Sequence, residues 1–177
     1  MKRKSSKKKT SFDGDKLLQT TAISSSGFVK IFKGIEYASG SDDQPRLQRA
    51  FALKIDLKNT AIKMLSTPSN GATTGETNLQ TTPSFLDTQN LKAAINTNFF
   101  TASGSTADNR GILISNGNIV SNAESGTFST QLNFTSDMVA TLVSSAINPT
   151  GIHNAVGGAE IILNNGINVG TNPDVQP

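Results

Sequence analysis

Two Asn-Gly dipeptides, Asn116-Gly117 and Asn165-Gly166, each set inside a short apolar run, constrain this chain more than any other feature. Asn and Gly tolerate the positive φ angles that a two-residue type I′ turn demands, and the twist of that turn matches the twist of paired antiparallel strands. Gly111-Ile-Leu-Ile-Ser-Asn-Gly-Asn-Ile-Val120 and Glu160-Ile-Ile-Leu-Asn-Asn-Gly-Ile-Asn-Val169 are therefore predicted to be β-hairpins. The same turn chemistry is expected twice in any β-rich domain, so it carries little weight as an internal repeat.

Period-two alternation extends the β reading along the chain. Val29, Ile31, Ile35 and Tyr37 fall on one side of a half-buried strand over Phe28 to Tyr37, and Phe128, Thr130, Leu132 and Phe134 alternate in the same way. The cleanest strand puts Phe51, Leu53, Ile55 and Leu57 on one face and Lys54, Asp56 and Lys58 on the other, with Ala61 to Leu65 as a weaker returning strand. Thr82-Pro83-Ser84 predicts a helix entry, a hydroxyl cap with proline at the first helical position, and a short helix through Phe85, Leu86 and Gln89. Asp137 to Ile147 is open to two readings, an apolar strand or a helix opened by Ser136, of which the helix is preferred. Residues 66–82 and Thr101 to Arg110 are polar loops; a loop as long as the first is commonly mobile or functional. The expected fold class is α+β: a largely antiparallel sheet with hairpins and one or two helices.

Length admits one domain with a real core, since 177 residues are too few for two large ones. The surface is polar through Ser, Thr, Asn, Gln and Gly rather than through ions, because only 16% of residues are charged. The net charge of +3 is unevenly spread: residues 1–16 hold seven basic residues against two acidic ones, a net +5, while the rest hold nine against eleven, a net −2. The body is thus slightly acidic, and residues 1–26 are expected to be a disordered basic tail. No specific nucleic-acid binding is expected. The chain lacks cysteine, so disulfides and thiolate chemistry are excluded. No apolar run follows the basic start as an export signal requires, and none approaches the ~20 residues of a membrane span.

The candidate functional centre is Ala93-Ala-Ile-Asn-Thr-Asn-Phe-Phe100. It is predicted to be a short strand burying Ala94 and Ile95, which would aim the amides of Asn96 and Asn98 beyond the sheet edge, with Phe99 and Phe100 holding the strand end. The plainer alternative is that the asparagines satisfy a turn and the phenylalanines pack in the core. His153-Asn-Ala-Val-Gly-Gly158 is the second candidate: Gly157 and Gly158 would let backbone approach a ligand, and His153 could donate to an anion. Its plainer reading is a turn entering the second hairpin. With a single histidine and no Gly-rich loop carrying lysine, neither a histidine metal site nor a P-loop can be built, and no cofactor or metal is expected.

Four stretches together resemble the phosphodiester glycosidase family, that of the animal mannose-6-phosphate uncovering enzyme: Ala52-Leu-Lys-Ile-Asp-Leu57, Ala94-Ile-Asn-Thr-Asn-Phe-Phe100, Gly111 to Ser121 and Asn154 to Gly166. The family's second stretch reads Ile-Asn-Gly-Gly-Phe-Phe; Asn96, Phe99 and Phe100 match it, whereas Thr97 and Asn98 depart. Ala159-Glu160 also replaces the more usual Gly-Pro. The resemblance covers residues 27–177 and implies an α+β fold with a cleft lined by the motif asparagine. It implies hydrolysis of a sugar-1-phosphodiester, with Asn96 of the matching motif as the catalytic residue; Asn98, His153, Gly157 and Gly158 are the substrate-binding candidates that the residues themselves suggest, Asn98 and His153 being carried by no family motif. It also implies an extracytoplasmic or secreted protein linked to exopolysaccharide. Family members continue into Arg-Thr-Ala-Ile-Gly and Asp-Gly-Gly-Gly-Ser motifs absent from this chain, so an incomplete, N-terminal portion of the domain is expected, with self-association possible through an unpaired edge. The rival expectation is a non-catalytic glycan-binding or exopolysaccharide-assembly module.

Overall fold

The computed structural model describes residues 24–43, 47–71, 74–144 and 148–170. The predicted tail lies almost wholly outside them. The described residues form two compact units, the first from those up to Ile31 with those in Ile35–Lys54, the second from Phe32–Gly34 and those from Ile55 onward. The architecture is mainly antiparallel β with a single short α-helix among the described residues.

The first unit is a four-stranded sheet of β1 (Ser24–Ser25), β2 (Val29–Phe32), β3 (Ile35–Asp42) and β4 (Gln48–Ile55), in which β3 pairs with each of the others. The single strand expected over Phe28 to Tyr37 is instead two, broken at Lys33-Gly34, where Gly34 takes φ 78°. Alternation survives a tight turn, so the pattern alone could not place the break. Across this sheet Tyr37 stacks on Phe51 at 6.3 Å, and Lys54 bridges Glu36 at 2.9 Å while lying over the Phe28 ring. The apolar face predicted for β4 is not buried: Phe51 is 70% exposed.

In the second unit the short β5 (Thr77–Asn78) leads to α1 (Thr82–Thr88), whose cap is Thr81: its hydroxyl accepts from Ser84 N–H at 3.3 Å, one residue earlier than predicted. β6 (Phe100–Ser103) and β7 (Thr106–Asn109) form a hairpin where a polar loop was expected, and β5 completes their sheet in the order β5-β7-β6. Ala61 to Leu65 forms no strand.

The central sheet holds β8 (Leu113–Ser115), β9 (Asn118–Ser121), β10 (Thr130–Thr135), β11 (Ala140–Val143) and β12 (Ile152–Gly158) in the order β11-β10-β12-β8-β9. β8 and β9 meet at the predicted Asn-Gly turn, with Asn116 at φ 50° and Gly117 at φ 80°. The second Asn-Gly turn joins only the two-residue strands β13 (Leu163–Asn164) and β14 (Ile167–Asn168).

Two further expectations are corrected here. The helix preferred after Ser136 is β11, because Met138 adopts φ 62° and Thr135 closes a tight turn by accepting from Val139 N–H at its hydroxyl. β-branched Thr141 and Val143 then suit the edge of a sheet. The turn expected at His153–Gly158 is the middle strand, β12, packed between β10 and β8. On one face of this sheet Ile112, Ile114 and Ala155 make the core, joined by Ala123 and Ile152.

Candidate functional site

A cleft of about 170 Å³ opens in the second unit, floored by Leu113 of β8 and Val156 of β12. Its walls are Leu65–Thr67, the run from Thr77 to Thr82 with Phe85 of α1, and Ile95–Asn98 with Phe100 of β6. Most of this lining is irregular backbone. The β5-β7 ladder anchors Thr77 and Asn78, and polar side chains hold much of the rest in place.

Asn154, only 2% exposed on β12, fixes the first wall. Its Oδ1 accepts from Ser66 N–H at 3.1 Å and Asn116 N–H at 3.3 Å, and its Nδ2 donates to the Met64 carbonyl at 3.1 Å. One side chain thereby imitates a strand partner for residues 64–66, and Ser115 Oγ adds a bond to the Ser66 carbonyl at 2.7 Å. The second wall is fixed by Glu76, whose Oε2 accepts from the Asn109 backbone at 2.7 Å and its amide at 3.3 Å.

Asn98 fixes the third. Its Nδ2 donates to the Arg110 and Ile112 carbonyls at 3.1 and 3.0 Å, so the donors proposed for a substrate are committed to backbone. Residues 93–98 do not form the predicted strand; β6 begins only at Phe100. Ile95, expected to be buried, is 72% exposed, and Asn98 stands in for the missing ladder.

Asn96, the proposed catalytic residue, does face the cleft, exposed and with no hydrogen bond to the described residues. The side chains of Asn78 and Gln80 are likewise exposed and make no hydrogen bond to the described residues, and sequence reasoning passed over them. The signal available was their place in the long polar stretch 66–82. With Phe100, 54% exposed, and half-buried Phe85, they make a wall of amides without partners among the described residues, interrupted by two aromatic rings. No described lining residue carries an ionisable side chain.

The other candidates lie apart from that lining. His153 is half-buried on β12, and its carbonyl accepts from Gly117 N–H at 2.7 Å. Gly157 does permit a close approach, but to its own chain: a Cβ there would stand 3.0 Å from the Arg110 carbonyl and 3.0 Å from Asn98 Nδ2. Gly158 faces open space. Near this point Arg110 holds Glu124 through Nε at 3.0 Å and Nη2 at 2.8 Å and stacks on Phe128, which in turn meets Phe99. The Arg110 guanidinium, helped by Gly111 N–H, lowers the Glu124 pKa to about 2, and Glu124 in turn raises that of Arg110. The pair is mutually satisfied, outside the cleft lining.

Among the described residues no group of His, Asp or Glu could hold a metal ion, and no helix is long and apolar enough to cross a membrane. Comparison of the chain with protein-family models, with curated proteins and with solved structures returned no match.

Proposed function

We propose that the second unit binds a neutral carbohydrate in this cleft. The observation that carries the reading is the wall of side-chain amides at Asn78, Gln80 and Asn96, which have no partner among the described residues, beside Phe85 and Phe100, in a lining whose described residues carry no ionisable side chain. Amides offer donor and acceptor side by side, as adjacent sugar hydroxyls do, and an exposed aromatic ring packs on the apolar face of a pyranose. The volume is below the ~300 Å³ of a drug-sized site and suits a single ring. A sugar ligand agrees with the extracytoplasmic, polysaccharide-rich setting that the family resemblance implies. A glycan array followed by calorimetry tests it: Asn96→Ala and Gln80→Ala, both at exposed positions, should each weaken the best ligand about tenfold without changing stability. Unchanged affinity in both would end the reading.

Hydrolysis of a sugar-1-phosphodiester is the second reading, supported by the resemblance and by Asn96 facing the cleft. Expelling a phosphate requires a cation beside it, and the oxocarbenium-like carbon requires a carboxylate. Arg110 and Glu124 have that chemistry but neutralise one another. Turnover of a sugar-1-phosphate diester that falls in Asn96→Ala at unchanged stability would favour hydrolysis; binding without turnover would favour the module.

A further inference from the structure

The cleft floor does not end at Val156. Strand register sets Leu113 opposite Val156, Val156 opposite Leu132, and Leu132 opposite Leu142, so four aliphatic side chains stand in one row on one face of β8, β12, β10 and β11. Residues directly opposite across a ladder share a face, and neighbouring strands lie about 4.8 Å apart, so the row runs roughly 14 Å. Exposure climbs along it: Leu113 is 2% exposed, Leu132 36% and Leu142 53%. Phe134 and Thr130, the same-face neighbours of Leu132 on β10, are buried, and Thr130 Oγ1 donates to the Ala159 carbonyl. The open hydrocarbon is thus a narrow strip leading from the cleft floor to the β11 edge, not a broad apolar face.

A polar, uncharged hollow continuous with an aliphatic strip matches a ligand of the same two-part chemistry. We propose that the ligand is a sugar bearing a hydrocarbon tail, its head in the cleft and its tail along Leu132 and Leu142; this rests on the carbohydrate reading above. A free sugar would leave the strip in water, whereas a tail lying on it removes apolar surface from water on both partners.

The test uses methyl and n-octyl glycosides of glucose, galactose, mannose and N-acetylglucosamine, the octyl forms kept below their micelle concentration, titrated into the full chain. The octyl form of the preferred sugar should bind at least tenfold tighter than its methyl form, the ceiling being about fourfold per fully buried methylene, equivalent to ~0.8 kcal/mol. Leu142→Asp should erase that advantage while leaving the methyl glycoside affinity unchanged, and Leu142→Ser should reduce it if the aspartate variant fails to fold. Equal affinities for the two forms, or an advantage that survives both substitutions, overturns the tail site while leaving the cleft intact. Methyl glycosides that do not bind overturn the cleft reading; octyl binding that still depends on Leu142 would then leave the tail contact standing, and no octyl binding would remove both. A dimer that Leu142→Asp dissociates in sedimentation, with no octyl advantage, assigns the strip to a second copy and also overturns it.

Discussion

Replacing Asn154 by alanine should detach a wall of the cleft. The side chain is 2% exposed and makes three hydrogen bonds, to Ser66 N–H, Asn116 N–H and the Met64 carbonyl. A typical net hydrogen bond contributes about 1 kcal/mol, but a buried backbone group left unpaired costs roughly 1–3 kcal/mol. Ser66 is buried and Met64 half-buried, so two of the stranded groups cannot simply turn to solvent. The loss expected is about 3 kcal/mol. With a urea slope of roughly 2 kcal/mol/M, that moves the unfolding midpoint down by about 1.5 M. Asn154→Asp keeps both accepted bonds but sets a carboxylate oxygen against the Met64 carbonyl, so it should fall at or below the alanine variant rather than between it and wild type. Ser115→Ala removes a second bond to the same segment, at the Ser66 carbonyl, and should combine less than additively with Asn154→Ala, because either change alone frees residues 64–67. Sugar affinity should drop with Asn154→Ala even under conditions where the protein stays folded. A midpoint shift below about 0.3 M, or strict additivity with Ser115→Ala, would refute the view that this amide serves as a strand partner.

Three further outcomes follow from the same geometry. Gly157→Ala, whose Cβ would stand 3.0 Å from the Arg110 carbonyl, should cost about 1–3 kcal/mol, whereas Gly158→Ala meets open space and should stay within ~0.5 kcal/mol of wild type in thermal unfolding; the reverse order would contradict the packing. Glu124, with its folded pKa lowered to about 2 from 4.5, contributes stability that is fully present above pH 4.5 and lost as pH falls toward 2. The stability gap between wild type and Glu124→Gln should therefore be flat near neutrality and close on acidification, and parallel curves from pH 7 to 2 would contradict the pairing. Gln131 and Asn133, at most 1% exposed on one face of β10, have side-chain amides that find no partner among the described residues, so Gln131→Met and Asn133→Val should each leave stability unchanged or raise it by about 1–2 kcal/mol; a loss beyond ~1 kcal/mol in both would show that the amides are paired.

The parts of this molecule that were legible in the sequence are those decided by local chemistry. Asn116-Gly117 turned as expected because positive φ is a property of those two residues, and the Thr-Pro-Ser run opened a helix because a hydroxyl cap needs only its own next turn. What escaped was decided at a distance. β12 carries two glycines and two polar residues in seven positions, a poor strand by propensity, and became the middle of a sheet because both its neighbours pair with it. Asn96, Asn98 and Asn154 show the limit most directly: the same carboxamide faces an open cleft at position 96, replaces a backbone ladder at 98, and clamps a segment 90 residues away at 154. Nothing in an asparagine's immediate neighbours distinguishes these roles, because its donor and acceptor fit a sugar hydroxyl and a peptide group equally well. The distinction lies in which amides the fold has already satisfied. By that measure position 98, which the resemblance marks as a departure from glycine, has been drawn into the scaffold, and position 96, which matches, has no partner among the described residues. A substitution at 98 should therefore register first in stability, and one at 96 first in ligand affinity.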